Sequence, residues 1–89
     1  MREHDEPAVV DGNAVAGLLS EVFAGDPTTF IGTCGGCGAV AVFAEAVVEM
    51  DDEAAIVRCR SCTHTLFTVL RGGEAVRLII GALREVRPV

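Results

Sequence analysis

The segments Cys34-Gly35-Gly36-Cys37-Gly38 and Cys59-Arg60-Ser61-Cys62 decide the fold of this 89-residue chain. They contain all four cysteines, arranged as two Cys-x-x-Cys pairs with 21 residues between them. Two such pairs at this spacing supply the four sulfur ligands of a tetrahedral metal site. Each pair holds one edge of the ion, and the segment between them is long enough to run out as a strand and return. We therefore predict a metal site formed by Cys34, Cys37, Cys59 and Cys62.

Sulfur-only tetrahedral ligation suits zinc, or iron as in rubredoxin-type centres. We expect one structural zinc ion per chain, with iron as the alternative. Gly38 can take a positive φ, which lets the first turn aim backbone N–H groups at the sulfurs. Thr63 stands at the same place in the second pair, so that turn is predicted to be strained or built differently. His64 is interpreted as a surface group or a neighbour of the ligands, because four cysteines already complete the coordination.

A redox-active dithiol or a disulfide is a further alternative for each Cys-x-x-Cys pair. A thioredoxin-like pair opens a helix, whereas Cys37 is followed by Gly38 and then by a run, residues 39–43, that is typical of a strand. The sequence shows no apolar signal segment, so we expect a cytoplasmic protein whose thiols stay reduced.

The composition indicates one small domain with little aromatic content. Hydrophobic residues make up 51% of the chain and aromatic residues 4%, and no apolar run approaches the length of a membrane span. The net charge is −6 and is split along the chain: all but two of the 13 acidic residues precede residue 54, and all but one of the seven basic residues follow it. This split predicts internal charge compensation or, alternatively, an arginine-bearing face that binds an acidic partner.

The pattern of apolar residues predicts one helix followed by a β-rich domain. Residues 1–10 are predicted to be a flexible acidic N-terminus, residues 11–25 a helix and residues 28–89 the metal-binding domain. Asp11 or Asn13 can cap the helix. Its apolar stripe recurs at helical spacing and consists of Val15, Leu18, Leu19, Val22 and Phe23. The predicted strands are 39–49, 55–58, 65–70 and 76–80, with a tight hairpin at 71–74.

This layout resembles a zinc ribbon, in which two cysteine turns each lead into antiparallel strands. The resemblance covers residues 33–80. More narrowly, the chain resembles an uncharacterised family of short zinc-ribbon proteins from high-GC bacteria, a domain of unknown function. The segments that carry this resemblance are Asp11-Gly12-Asn13-Ala14-Val15-Ala16-Gly17-Leu18-Leu19, Cys34 to Gly38, and Arg58 to Cys62. It implies that the four cysteines are metal ligands, and it implies no activity.

The predicted fold is therefore a small α+β domain, with an N-terminal amphipathic helix packed on an antiparallel zinc ribbon and an extra C-terminal hairpin. Both faces of that hairpin carry large apolar residues, so we expect the chain to form a homodimer or to bind another protein. The predicted function is a non-catalytic interaction module, because no catalytic triad, phosphate-binding loop or carboxylate cluster with a histidine is present.

Two other functions are kept as alternatives. A nucleic-acid-binding zinc ribbon needs a basic face and stacking aromatic residues, which an acidic chain without Tyr or Trp does not offer. A rubredoxin-like iron protein would use the same four sulfurs for electron transfer. The second cysteine pair lacks the Pro and Gly of the rubredoxin pattern, so we expect neither nucleic-acid binding nor electron transfer.

Overall fold

A computed structural model describes residues 8–71 and 75–88, whose strands form two antiparallel sheets. In chain order the elements are β1 (Ala8–Asp11), α1 (Ala16–Leu19), β2 (Ile31–Cys34), β3 (Val40–Val42), β4 (Val47–Met50), β5 (Ala54–Arg58), β6 (Thr65–Leu70), β7 (Arg77–Ile80) and β8 (Leu83–Arg87). The five-stranded sheet has the order β1-β4-β5-β6-β7, and the three-stranded sheet has the order β3-β2-β8. The protein is thus a small α+β fold with one short α-helix among the described residues.

The helical segment is shorter than the predicted helix over 11–25. A 3-10 turn at Gly12–Val15 leads into α1, and the last helical backbone bond runs from the Phe23 N–H to the Leu19 carbonyl. Asp11 does cap the segment, because its carboxylate accepts the Ala14 N–H at 3.1 Å. The length was wrong because tertiary packing of the first turn, rather than helix propensity, sets the local geometry.

The single strand predicted over 39–49 is also wrong. A 3-10 turn at Phe43–Glu45 separates β3 from β4, and the two strands belong to different sheets. The turn places Phe43 in the core, where the side chain is 2% exposed. The Phe43 N–H donates to the Phe30 carbonyl at 2.9 Å instead of joining a sheet ladder. The break therefore lets the chain pass from one sheet to the other.

Three further segments differ from their predictions. Residues 8–10 belong to β1, which pairs with β4 and is not a flexible end, while residues 1–7 lie outside the described residues. The segment before Cys34, for which no strand was predicted, contains a 3-10 turn at Pro27–Thr29 and then β2. The unassigned C-terminal end forms β8, which pairs with β2.

The predicted strands 55–58, 65–70 and 76–80 are confirmed to within one residue as β5, β6 and β7. These strands pair antiparallel, with Val57 opposite Phe67 and Phe67 opposite Ile80. The turn predicted between β6 and β7 includes residues 72–74, which lie outside the described residues.

One hydrophobic core joins the helix and both sheets. All four phenylalanine rings of the chain meet in it, with the Phe43 and Phe67 ring centroids 5.4 Å apart and those of Phe23 and Phe43 5.7 Å apart. The stripe of five apolar residues predicted for the helix packs into or against this core. No helix within the described residues is long and apolar enough to cross a membrane.

Candidate metal centre

Two tight turns of the same construction carry the four cysteines. In the first turn the Gly38 N–H donates to the Cys34 carbonyl at 2.8 Å, and in the second the Thr63 N–H donates to the Cys59 carbonyl at 2.9 Å. Gly38 has a φ of +81° and Thr63 a φ of +67°. The second turn is therefore strained rather than built differently, since a β-branched residue rarely adopts a positive φ.

The two turns begin where strands of the two sheets end. β2 ends at Cys34, and Cys59 directly follows β5, so each sheet contributes one cysteine turn. The Gly35 N–H donates to the Ala82 carbonyl at 2.7 Å, which ties the first turn to the approach to β8. Backbone hydrogen bonds at the strand ends therefore help to fix the position of each turn, independently of the side chains.

The fold brings the four predicted ligands together. All four Sγ atoms lie within 4.8 Å of one another. The Cys34 and Cys62 sulfurs are 3.6 Å apart, and the Cys37 and Cys59 sulfurs are 3.7 Å apart. A tetrahedron of sulfurs around zinc, with bonds of about 2.3 Å, has edges of about 3.8 Å. The donor set and its spacing therefore fit a four-coordinate metal ion, and the four cysteines are free thiols rather than disulfides.

The four ligands differ in burial. Cys34 and Cys59 belong to the hydrophobic core, at 2% and 5% exposure, whereas Cys62 is half-buried and Cys37 is exposed. One side of the cluster is thus enclosed by the core and the other faces solvent. A metal ion bound here would link the core to two surface turns.

The cysteines also differ in acidity. Burial opposes ionisation of Cys59, but the backbone N–H groups of Cys62 and Ser61 and the Cys37 thiol outweigh it and lower the pKa of Cys59 to about 7. At Cys62 the backbone N–H of His64 favours the thiolate, but burial and the three other thiols together raise the pKa of Cys62 to about 12. Four thiolates cannot form side by side without compensation, and a divalent cation supplies it.

Side chains outside the ligand set support the second turn. Arg58 donates from Nε to Glu49 at 2.8 Å, and its Nη1 reaches the Thr63 carbonyl at 3.3 Å and the Thr65 hydroxyl at 3.2 Å. This guanidinium therefore holds the strained residue between two strands of the sheet. This role of Arg58 could not be predicted from the sequence, because no local pattern shows which acidic residue an arginine at a strand end will pair with.

His64 lies directly beside the cluster. Its Nδ1 is 3.0 Å from the Cys62 sulfur. The cluster of candidate ligand atoms within 4.8 Å of one another consists of the four sulfurs and includes neither nitrogen of His64. In the first turn the Gly36 N–H points at the Cys34 sulfur at 3.3 Å. Only the position of His64, two residues after Cys62, signalled this proximity.

A family model described as a family of unknown function (DUF6510) matches residues 3–88. The chain belongs to this family. No curated protein and no solved structure matches the chain. Membership in DUF6510 carries no activity, so the function of this member is argued from its four-cysteine cluster and its surface.

Proposed function

We propose that this DUF6510 protein is a non-catalytic interaction module of zinc-ribbon type, held together by one structural zinc ion on Cys34, Cys37, Cys59 and Cys62. The clustering of four thiols at tetrahedral spacing carries the proposal. Four protein ligands leave no open coordination position for water or substrate, so the site has no means of catalysis. Cysteines must be in the reduced form to bind a metal ion, which agrees with a cytoplasmic location.

Zinc is preferred to iron on chemical grounds. Both ions accept four thiolates, but the second turn here has Thr63 at a φ of +67° where a rubredoxin-type turn has glycine. Zinc is redox-inert and imposes no geometry of its own, so it tolerates two unequal turns. Iron electron transfer is the second candidate function, because the sulfur geometry suits it equally.

Elemental analysis of protein from unsupplemented cells tests the metal. We expect one zinc per chain and a colourless solution, since Zn²⁺ has a filled d shell and is redox-inert. A Ser61→Ala variant is the matched control: residue 61 lies within the second turn but supplies no sulfur, so metal content should not change. Near-stoichiometric iron and a red colour would instead establish the electron-transfer alternative.

The outer face of the five-stranded sheet supports the interaction role. One row of paired residues crosses the whole sheet and consists of Val9, Glu49, Ile56, Thr68 and Ile79. Val9 is 66% exposed and Ile79 51% exposed, at the two ends of this row. The opposite face packs into the core except at Ile80, which is 57% exposed. Val9 and Ile79 add exposed apolar area to this face, with the half-buried Ile56 between them. Contiguous apolar area on a surface marks protein contacts.

We propose that a second copy of the chain covers this outer face, because two-fold dimers are the commonest closed assembly. Leu66, at 7% exposure, is already covered within the chain, whereas Ile79 is 51% exposed on the outer face and is available for the contact. Glu49 pairs with Arg58 in the same chain, which leaves Glu45 as the acid available to arginines at the rim of a partner copy.

Replacing Ile79 with Thr is expected to weaken self-association, because it removes apolar area from the outer face while keeping a strand-forming residue. Light scattering at tens of micromolar should report a dimer for the zinc-loaded protein and a shift towards monomer for the variant. Val40→Thr is the control, since Val40 is similarly exposed at 59% but lies in the other sheet. A monomeric wild-type protein that binds no excess hydrophobic dye would refute the dimer.

A further inference from the structure

We propose that His64 is a positioning residue of the metal centre, whose Nδ1–H donates a hydrogen bond to the Cys62 thiolate and holds this ligand in place on the solvent-facing side of the site. The inference rests on the proposed function, because it requires a metal-bound thiolate at Cys62. It goes beyond that function by assigning a residue that controls how readily the metal leaves.

The contact between His64 and Cys62 has the geometry of a hydrogen bond to sulfur. The Nδ1 to Sγ distance is 3.0 Å. A metal-bound thiolate carries no proton and only accepts, so the hydrogen must reside on Nδ1. A fixed donor of this kind orients the ligand and reduces the charge that the sulfur presents to other protons or metals.

The imidazole also touches the opposite cysteine turn. A Cβ built on Gly36 would lie 2.7 Å from the His64 Nδ1 and 3.1 Å from its Cγ and Cε1, so the ring rests against the Gly36 backbone. Gly36 is needed here for close approach. His64 therefore spans the two turns, belonging to the second and packing on the first.

The position of His64 on the solvent-facing side of the cluster determines its effect. Cys62 is half-buried and Cys37 exposed, so a competing chelator reaches the site from the side of these two sulfurs, where His64 contacts Cys62. His64 is unsuited to direct ligation, because its nitrogens fall outside the compact group of four sulfurs. Loss of a hydrogen bond to a charged acceptor should speed metal release by about tenfold or more.

The test compares four variants of the zinc-loaded protein by the rate at which they transfer zinc to the chelator 4-(2-pyridylazo)resorcinol. His64→Ala removes the donor, and His64→Gln places an amide nitrogen near the Nε2 position. His64→Asn places one near the Nδ1 position and should restore a rate within about twofold of wild type. Gly36→Ala should release zinc as fast as His64→Ala, because the added methyl displaces the ring.

A second readout separates hydrogen bonding from packing. In cadmium-loaded protein, ¹¹³Cd NMR should show a shifted metal resonance for His64→Ala and His64→Gln, and a near wild-type resonance for His64→Asn. Gly36→Ala should have no further effect in the His64→Ala background, because its action requires the ring.

The two levels of the proposal fail differently. A wild-type protein that binds neither zinc nor cadmium stoichiometrically overturns the proposed function and this inference with it. Stoichiometric metal with equal release rates in wild type, His64→Ala and His64→Gln overturns only the role of His64. A folded His64→Asn variant that releases zinc as fast as His64→Ala overturns the hydrogen bond.

Discussion

Replacing Cys59 with Ser is expected to unfold the protein rather than to weaken a binding property. Cys59 is both a proposed ligand and a core residue, at 5% exposure. Structural zinc contributes about 10–16 kcal/mol of apparent binding free energy in small zinc modules, whereas whole domains are stable by only about 5–15 kcal/mol. The free energy lost with the metal therefore equals or exceeds the whole free energy of unfolding of a domain of this size.

Circular dichroism and a ¹H–¹⁵N correlation spectrum measure this outcome directly. The Cys59→Ser protein should lose the dispersed spectrum of a folded domain, and chelator-treated wild type should resemble it. Ser61→Ala is the matched control, because it changes the same turn but leaves the four sulfurs and the backbone N–H in place. A Cys59→Ser variant that is folded and metal-free would show that the site is not structural.

The clustering of the four cysteines could be predicted from sequence because the information lies in their local spacing. Cysteine spacing alone placed four sulfurs in one group, and the structure brings them within 4.8 Å of one another. β5 and β6 were predicted for the same reason, since each is a short apolar run bounded by turn residues. Zinc and iron both accept four thiolates at this spacing, so cysteine spacing does not distinguish the two ions.

The break at Phe43–Glu45 could not be predicted from alternation. With a period of two, Val40, Val42, Ala44, Ala46 and Val48 all fall on one apolar face, so the pattern continues through a turn that changes sheets. Burial of the Phe43 ring in the cluster of four phenylalanines decides the conformation. That contact depends on Phe23 and Phe67, which are distant in sequence, and tertiary contacts of this kind override local patterns.

β1 and β8 were missed because their partners are remote. β1 pairs with β4, which is about 40 residues later in the chain. β8 lies near the C-terminus and pairs with β2, which begins at Ile31. The short segment Ala8–Asp11 follows an acidic stretch, and the prediction of a flexible end rested on the composition of that stretch rather than on the two valines after it. Sheet edges are defined by long-range pairing, which composition does not report.

The division of charge along the chain is explained by the register of the sheet. β4, from the acidic half, lies beside β5, and the Arg58 to Glu49 ion pair of 2.8 Å joins them. Arg71 reaches the Asp51 and Asp52 carbonyls near the same edge. The pKa of Asp51 is lowered chiefly by the Glu53 and Ala54 N–H groups and also by Arg71. These contacts favour internal compensation over an arginine face for an acidic partner.

Gly12→Ala is expected to destabilise the protein by about 3 kcal/mol or more in free energy of unfolding, because the added methyl has no space. Gly12 is buried at the start of the helical segment, and a Cβ there would overlap the Phe43 backbone oxygen. Neither atom can rotate away, since one is fixed to the main chain and the other belongs to it. The turn at Phe43–Glu45 would have to move, and with it the contact that joins the two sheets.

Gly17→Ala is the matched control and is expected to change stability in the opposite direction. Gly17 lies in α1, is exposed, and would place a Cβ with no heavy atom within 4 Å. Alanine in a helix is favoured over glycine by about 0.5–1 kcal/mol, so the melting temperature should rise by a few degrees, at about 4–8 °C per kcal/mol. Thermal unfolding of the two variants in excess zinc measures both effects. Equal stability of Gly12→Ala and wild type would show that the helical segment does not pack on Phe43 as described, because a methyl group cannot occupy the place of a backbone oxygen.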